Sequence, residues 1–181
     1  TSPQGGIFGD QALAIEMLSG ILPDGVEIVA KENPKQGSFH REPTFFDRLR
    51  QLEAVTIVHP TFSNQILEEK CSAVAIVTGT AGWEAIRDGR PCICFGHAWY
   101  KSCPGVHSLH GKLKLDEVLA DFPTRGRSEE FLKDIVSRSH DGIVYEVYLK
   151  HNEPECIESN FQTLAKTFEA LLFGELQTTF R

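Results

Sequence analysis

Short apolar runs alternate with stretches of helical periodicity over the first half of the chain. The runs are Val26–Ala30, Val55–Val58, Ala73–Val77 and Cys92–Phe95. Nearly continuous apolar runs of this length are typical of strands that are buried on both faces of a parallel sheet. We therefore expect four such strands, joined by crossover segments.

The segments around these runs carry helix signals. Helices are predicted at Asp10–Ile21, Phe45–Leu52, Asn64–Lys70, Gly82–Asp88, Leu115–Ala120, Glu129–Ser137 and Glu158–Phe173, whereas residues 141–150 are ambiguous. Thr44 with Asp47 is a capping-box pattern, Ser63 is placed to cap the next helix, and Gly89 before Arg90-Pro91 ends the fourth. Alternating strands and helices predict an α/β fold, with a Rossmann-like parallel sheet flanked by helices and right-handed crossovers.

Composition narrows the class of protein. The 181 residues, 41% of them hydrophobic, can form one domain over 1–181, and no apolar stretch reaches the ~20 residues that span a bilayer. A net charge of -7 argues against nucleic acid as a partner. Five cysteines without CxxC spacing favour a reduced, cytoplasmic location. The chain begins at Thr1 and its one methionine is Met17, so we expect a fragment of a longer protein.

Polar clusters follow each of the four predicted strands. They are Lys31-Glu32-Asn33-Pro34-Lys35, His59-Pro60-Thr61-Phe62-Ser63, Thr78–Gly82 and Gly96–Lys101. Ligands of open parallel sheets bind beyond the carboxyl ends of the strands, where helix N-termini offer unpaired N–H groups. These four loops are therefore the candidate ligand site.

The third loop, Thr78-Gly79-Thr80-Ala81-Gly82, is the sharpest local signal. Its glycines permit close approach of the backbone to an anion and its threonines supply hydroxyl donors, which together predict a phosphate cradle. Glu84 could accept hydrogen bonds from a ribose diol. The alternatives are a tight strand-to-helix turn that needs small residues, and a carboxylate placed favourably near a helix N-terminus.

Four further side chains have two interpretations each. His59 before Pro60 could point into the crevice or be structural, and Lys31 could neutralise a phosphate or a sugar carboxylate or pair with Glu32. Trp99 and Tyr100 could stack on a base or sugar, or cap the core.

Metal-dependent chemistry is disfavoured by the motifs. His97, Cys103, His107 and His110 are ligand types that zinc accepts, but their spacing matches no standard structural site. The chain has no Asp-x-Asp pair that would chelate a diphosphate through a metal. Phosphate handling is therefore expected to depend on amides, hydroxyls and cations.

A resemblance adds to this interpretation. Thr1–Gly6, Lys31–Pro34, Val58-His59-Pro60, Thr78–Ala85 and Gly89-Arg90-Pro91 occur in an order that resembles the capsular polysaccharide biosynthesis family. That family includes the bacterial β-Kdo transferases, whose GT-B fold has two facing Rossmann-like halves. The resemblance covers about the first 105 residues.

The resemblance implies one half of a GT-B fold, the C-terminal donor-binding half of a metal-independent glycosyltransferase. Its substrate would be CMP-Kdo or a related nucleotide sugar, with no further cofactor. His59 is the expected catalytic residue, and the expected donor-binding residues are Lys31, Glu32, Asn33, Pro60, Ser63, Thr78, Gly79, Thr80, Ala81, Gly82, Glu84 and His97. Asn33 stands where the family usually has histidine; asparagine keeps the hydrogen bonding of that position but does not titrate.

The expected partners follow from the same resemblance. They are a nucleotide-sugar donor and a glycan or glycolipid acceptor, the latter bound through an absent N-terminal half, so the isolated chain should bind but not turn over. A peripheral association with the inner membrane stays open. Two other hypotheses remain: a protein similar to UDP-N-acetylglucosamine 2-epimerases, and a non-catalytic nucleotide-sugar-binding module.

Overall fold

The computed structural model describes residues 3–34, 41–109, 113–144 and 154–176. The chain forms two compact units, Thr1–Glu129 and Glu130–Arg181. In chain order the elements are a 3-10 helix at Pro3–Gly9, α1 Gln11–Ile21, β1 Ile28–Lys31, α2 Pro43–Arg50, β2 Val55–Val58, α3 Asn64–Lys70, β3 Val74–Ile76, α4 Ala81–Arg87, β4 Cys92–Cys94, β5 Val106–Ser108, α5 Leu115–Ala120, α6 Arg125–Ser137 and α7 Pro154–Leu172. The single domain expected over residues 1–181 stays a prediction.

All strand pairs among the described residues are parallel. β1 pairs with β2, with Ile28 opposite Val55, and a second sheet has the order β3-β4-β5. The predicted α/β class, with parallel strands and flanking helices, is confirmed. The strands pair within two sheets, however, and no hydrogen-bonded strand pair joins β1 or β2 to the other three described strands.

β5 is the strand that the apolar pattern did not predict. Its sequence Val106-His107-Ser108 has no apolar run, and its three residues pair with Cys92–Cys94 of β4. Its extended conformation therefore depends on a neighbour distant in sequence, a source of strand structure that local pattern does not contain.

α1 packs against elements of both sheets. Ala14 and Leu18 contribute to a buried cluster with Phe8, Ile93, Phe95 and Val118, against which Ile28 and Val77 also pack. Ala12, on the same helix, contributes to a second cluster with Phe45 and Leu49 of α2, against which Ile57 of β2 packs. The helix thus packs on β1 and β4 through one cluster and on β2 through the other.

Two of the three predicted helix ends agree with the structure. Ser63 Oγ accepts a hydrogen bond from the Ile66 N–H at 3.4 Å, and Gly89 ends α4 with a φ of +83°. The capping box at Thr44 is wrong, because α2 begins at Pro43 and its N-cap, Glu42, makes no side-chain cap. Proline fixes a helical φ at the first position of a helix, which places Thr44 inside the first turn.

The second unit contains α7, which agrees with the predicted C-terminal helix. Asn160 is buried on this helix, and its side-chain oxygen and nitrogen bond the N–H and C=O of Ile143 at 2.6 and 3.0 Å. Residues 145–150 of the ambiguous segment 141–150 lie outside the described residues. None of the described helices combines the length and the apolar character that membrane crossing requires.

Candidate functional site

The carboxyl ends of β1 and β2 bring two predicted ligand-binding loops together. Lys31 is the last residue of β1, and its Nζ donates a hydrogen bond to Asn64 Oδ1, 2.5 Å away in the first turn of α3. Because β1 and β2 are parallel neighbours, His59, which follows β2, lies at the same sheet edge. Lys31 and His59 therefore belong to one local group.

His59 is exposed and its ring orientation is set by Thr61. The Thr61 N–H donates to His59 Nδ1 at 3.3 Å, and Thr61 Oγ1 lies 2.7 Å from the same nitrogen. A nitrogen that accepts a backbone N–H carries no proton, so in the neutral imidazole the proton is on Nε2. His59 can thus donate a hydrogen bond from Nε2 to an anion. Pro60 is half-buried in the same turn.

Two more of the predicted donor-binding residues lie in these loops. Ser63 Oγ is engaged as the cap of α3. Asn33 is exposed just after β1.

Glu32 forms an internal ion pair. Its two carboxylate oxygens accept hydrogen bonds from Arg41 Nε and Nη2 at 3.1 and 2.8 Å, and the two side chains are 14% and 9% exposed. Arg41 also bonds the Gln11 side chain and lies 4.2 Å above the Phe45 ring. Its guanidinium thereby links the residue that follows β1 to α1 and α2. Direct contact of Glu32 with a donor stays a prediction. No motif marked Arg41 in the sequence, since its partners come from three separate segments.

The loop after β3 presents its hydroxyl groups without using them for capping. Thr80 is the exposed N-cap of α4, and its side chain makes no cap hydrogen bond. Thr78 is half-buried and Gly79 is exposed. Ala81 and Glu84 are half-buried in the helix that follows, and the Glu84 N–H bonds the Thr80 carbonyl at 3.0 Å.

The buried Tyr100 side chain holds this loop through a hydrogen bond to its backbone. The side chain is fully buried, its hydroxyl donates to the Gly79 carbonyl, and the same oxygen accepts the Trp83 N–H. Burial, with smaller contributions from the Cys92 and Cys94 thiols, raises the pKa of the phenol, so the hydroxyl keeps its proton and its role as a donor. Of the two interpretations of Tyr100, the structure supports the one in the core.

Gly82 is required by the same packing. A Cβ at this position would lie 2.5 Å from the Tyr100 hydroxyl oxygen and 2.8 Å from Cys92 Sγ. Only glycine lets α4 approach β4 this closely.

Two tryptophans lie beside the loop. The ring centroids of Trp83 and Trp99 are 4.9 Å apart, and the Trp99 ring stands at 86° to Tyr100 at 5.2 Å. We call Trp83, Trp99 and Tyr100 the aromatic cluster. Trp99 is 52% exposed, whereas Tyr100 is fully buried, so adjacent residues take opposite environments.

The N-terminal segment crosses the ends of β3 and β4. The Gln4 carbonyl accepts the His97 N–H at 2.9 Å, and a Cβ on the buried Gly5 would lie 3.0 Å from Val77 Cγ1. His97 itself is exposed. The segment Pro3–Gly9 thereby forms part of the edge at which the third and fourth loops begin.

The zinc-type residues lie in different environments. Cys103 is buried, which raises the pKa of its thiol to about 11, and His107 Nε2 faces Asp121 at 3.4 Å. His97 is exposed after β4, and His110 lies outside the described residues. Within the described ranges, no three His, Cys, Asp or Glu side chains form a group that could hold a metal ion.

Several predicted site residues thus lie in two groups, one at the edge of each sheet, together with Asn64 and Trp83, which the sequence did not mark as site residues. Lys31, His59 and Asn64 belong to the first, and Thr78, Thr80 and the aromatic cluster belong to the second. Ammonium, imidazole N–H and hydroxyl groups are all donors to anions. The arrangement is suited to binding a small anionic ligand.

Similarity to known proteins is found for one protein family. No curated protein and no solved structure shows significant similarity to the chain. One protein family, described as capsule polysaccharide biosynthesis protein, matches residues 8–121, which include the 3-10 helix from Phe8 onward and the five strands of the described residues. The chain belongs to the capsule polysaccharide biosynthesis protein family.

Proposed function

We propose that the chain is the donor-nucleotide-binding part of a glycosyltransferase that assembles capsule or another surface polysaccharide. Membership of the family supports the process. The binding role rests on one observation: the loop Thr78–Gly82, which is exposed at Gly79 and Thr80, is held in place by Tyr100, while the Thr80 hydroxyl is not used for capping. A loop with a supported backbone and an unused hydroxyl is suited to receive a phosphate.

The proposed donor is CMP-Kdo or a related nucleotide sugar. Its phosphate would lie at Thr78–Gly82 and its ribose near Glu84. The sugar carboxylate would be within reach of Lys31 and His59, whose Nζ and Nε2 protons attract an anion. The ammonium and the imidazole come from one sheet and the hydroxyls from the other, so the donor would bridge the two groups.

Sugar transfer would break the bond between the anomeric carbon and the phosphate oxygen, and CMP would leave as the acceptor oxygen bonds to that carbon. Negative charge then develops on the phosphate. Hydroxyl, N–H and ammonium donors stabilise that charge without a metal ion. The acceptor site and the base that takes the acceptor proton are assigned to a second Rossmann-like half of a GT-B enzyme.

Calorimetry with CMP and UDP tests the proposal. CMP should bind, and Thr80→Val, which removes the hydroxyl but keeps the side-chain shape, should weaken binding about tenfold, the effect of one hydrogen bond to a charged group. Thr124→Val is the matched control, because Thr124 is also exposed but precedes α6 rather than a predicted site helix.

Two results would contradict the proposal. Tight binding of UDP without binding of CMP would favour a protein similar to the 2-epimerases. A donor-binding protein that transfers no sugar when joined to its acceptor-binding half would favour a non-catalytic module.

A further inference from the structure

The aromatic cluster has one exposed member. Trp99 keeps 52% of its surface in contact with solvent, although Tyr100 beside it is completely buried. Tyr100 therefore fills the core at this point of the chain, and about half of the Trp99 side chain lies outside the core. A large apolar ring that is half exposed beside a polar loop can contact a ligand with a flat face.

The ring pair is attached to the loop that we propose as the phosphate site. Trp83 is a partner of Trp99 at 4.9 Å, and its backbone N–H bonds the Tyr100 hydroxyl, which also bonds the Gly79 carbonyl. One buried hydroxyl thus connects the loop to the helix residue that carries the indole. The backbone of the loop and the backbone that carries Trp83 are therefore held by the same buried hydroxyl.

We infer that Trp99, supported by Trp83, is the stacking surface for the pyrimidine base of the nucleotide donor; this inference rests on the proposed function. A nucleotide presents a phosphate and a flat aromatic ring, and the Thr78–Gly82 loop and the indole pair provide the matching surfaces. Stacking on an aromatic side chain uses only the face of the base, so it needs no hydrogen-bonding side chains beside the ring. Ala98 precedes Trp99, and the hydroxyl of Tyr100 after it is turned into the core, which suits a base better than a sugar with its many hydroxyls.

Intrinsic fluorescence measures this site directly. The chain has two tryptophans, and both belong to the aromatic cluster, so excitation that is selective for tryptophan reports on the cluster alone. CMP added to the 181-residue chain should quench this emission with the same dissociation constant that calorimetry gives. Trp99→Ala should weaken CMP binding about tenfold, the typical effect of removing one stacking ring. Trp99→Phe, which keeps an aromatic face, should restore most of the affinity.

Phe122→Ala is the matched control. Phe122 is 56% exposed, a fraction similar to that of Trp99. It lies between Asp121 and Pro123 in the chain, and these two residues contact Gly105 at the amino ends of β4 and β5. This variant should bind CMP as the unchanged chain does. Circular dichroism spectra of all three variants should match that of the unchanged chain, because both substituted side chains are more than half exposed.

The outcomes separate the inference from the proposed function. Calorimetric binding of CMP without quenching, and with unchanged affinity in Trp99→Ala, would overturn the stacking surface and leave the proposed function standing. Quenching by free Kdo but not by CMP would show that the indoles contact a sugar and would overturn the assignment of the base. Absence of any CMP binding by calorimetry would overturn both.

Discussion

At the scale of single residues, small side chains and one phenol shape the loop after β3. Tyr100 bonds Gly79 and Trp83 on either side of Gly82, which itself has no room for a Cβ. The glycines in the sequence predict a tight turn that needs small residues. The structure shows that the Tyr100 hydroxyl and Cys92 Sγ lie where a Cβ of residue 82 would be. The phenol was not assigned this role from sequence, because its partners follow a different strand.

Replacement of Gly82 should show how tightly this region is packed. Gly82→Ala is expected to lower the free energy of unfolding by about 2 kcal/mol, because the new methyl overlaps the Tyr100 hydroxyl and Cys92 Sγ. Gly20→Ala is the matched control, since Gly20 is also helical but has open space at the Cβ position. That variant should be stabilised by up to about 1 kcal/mol, as alanine is the better helix former.

Urea denaturation of the two variants measures both effects. Equal stability of Gly82→Ala and the unchanged chain would contradict the close approach of α4 to β4.

At the scale of elements, α1 and α2 are joined by charge as well as by their apolar faces. Arg48 of α2 bonds Glu16 of α1 at 2.6 and 2.7 Å and the N-cap residue Asp10 at 2.7 Å. These hydrogen bonds hold the pKa values of both carboxyls below their usual range, and the amides of Leu13 and Ala12 add to the effect on Asp10. The folded protein therefore binds these two protons less readily than the unfolded chain.

The stability of the protein should fall in acid partly through this group. A depressed pKa in the folded state gives stabilisation that is present above the unfolded carboxyl values and is lost as the pH falls through the folded ones. Arg48→Met should therefore flatten the dependence of unfolding free energy on pH between about pH 5 and about pH 2. Some dependence should remain, because the Leu13 and Ala12 amides still bond Asp10.

Arg50→Met is the control for this pH dependence. Arg50 pairs with Asp47 on the same helix, but the two side chains are 66% and 65% exposed, and such surface pairs contribute little. Identical acid denaturation of the Arg48→Met variant and the unchanged chain would show that the α1–α2 charges do not stabilise the fold.

At the scale of the whole molecule, the proposed chemistry needs donors to phosphate but no metal ion. Among the described residues no group of His, Cys, Asp and Glu is arranged to hold one. CMP binding measured by calorimetry should therefore be unchanged when EDTA replaces magnesium in the buffer. A severalfold loss of affinity with EDTA, restored by added magnesium, would contradict the metal-independent mechanism.

Much of this molecule followed from local pattern. Four strands, most helix positions, the Ser63 cap and the family were determined by the sequence alone, because apolar period, capping residues and glycine positions act over a few neighbouring residues. Tertiary structure decided what depends on distant partners: β5 pairs with β4, Arg41 holds Glu32, and Tyr100 holds the loop at Gly79. Local pattern carries no information about which remote segment will supply a backbone edge, a carboxylate or a carbonyl, so these contacts could be known only from the folded chain.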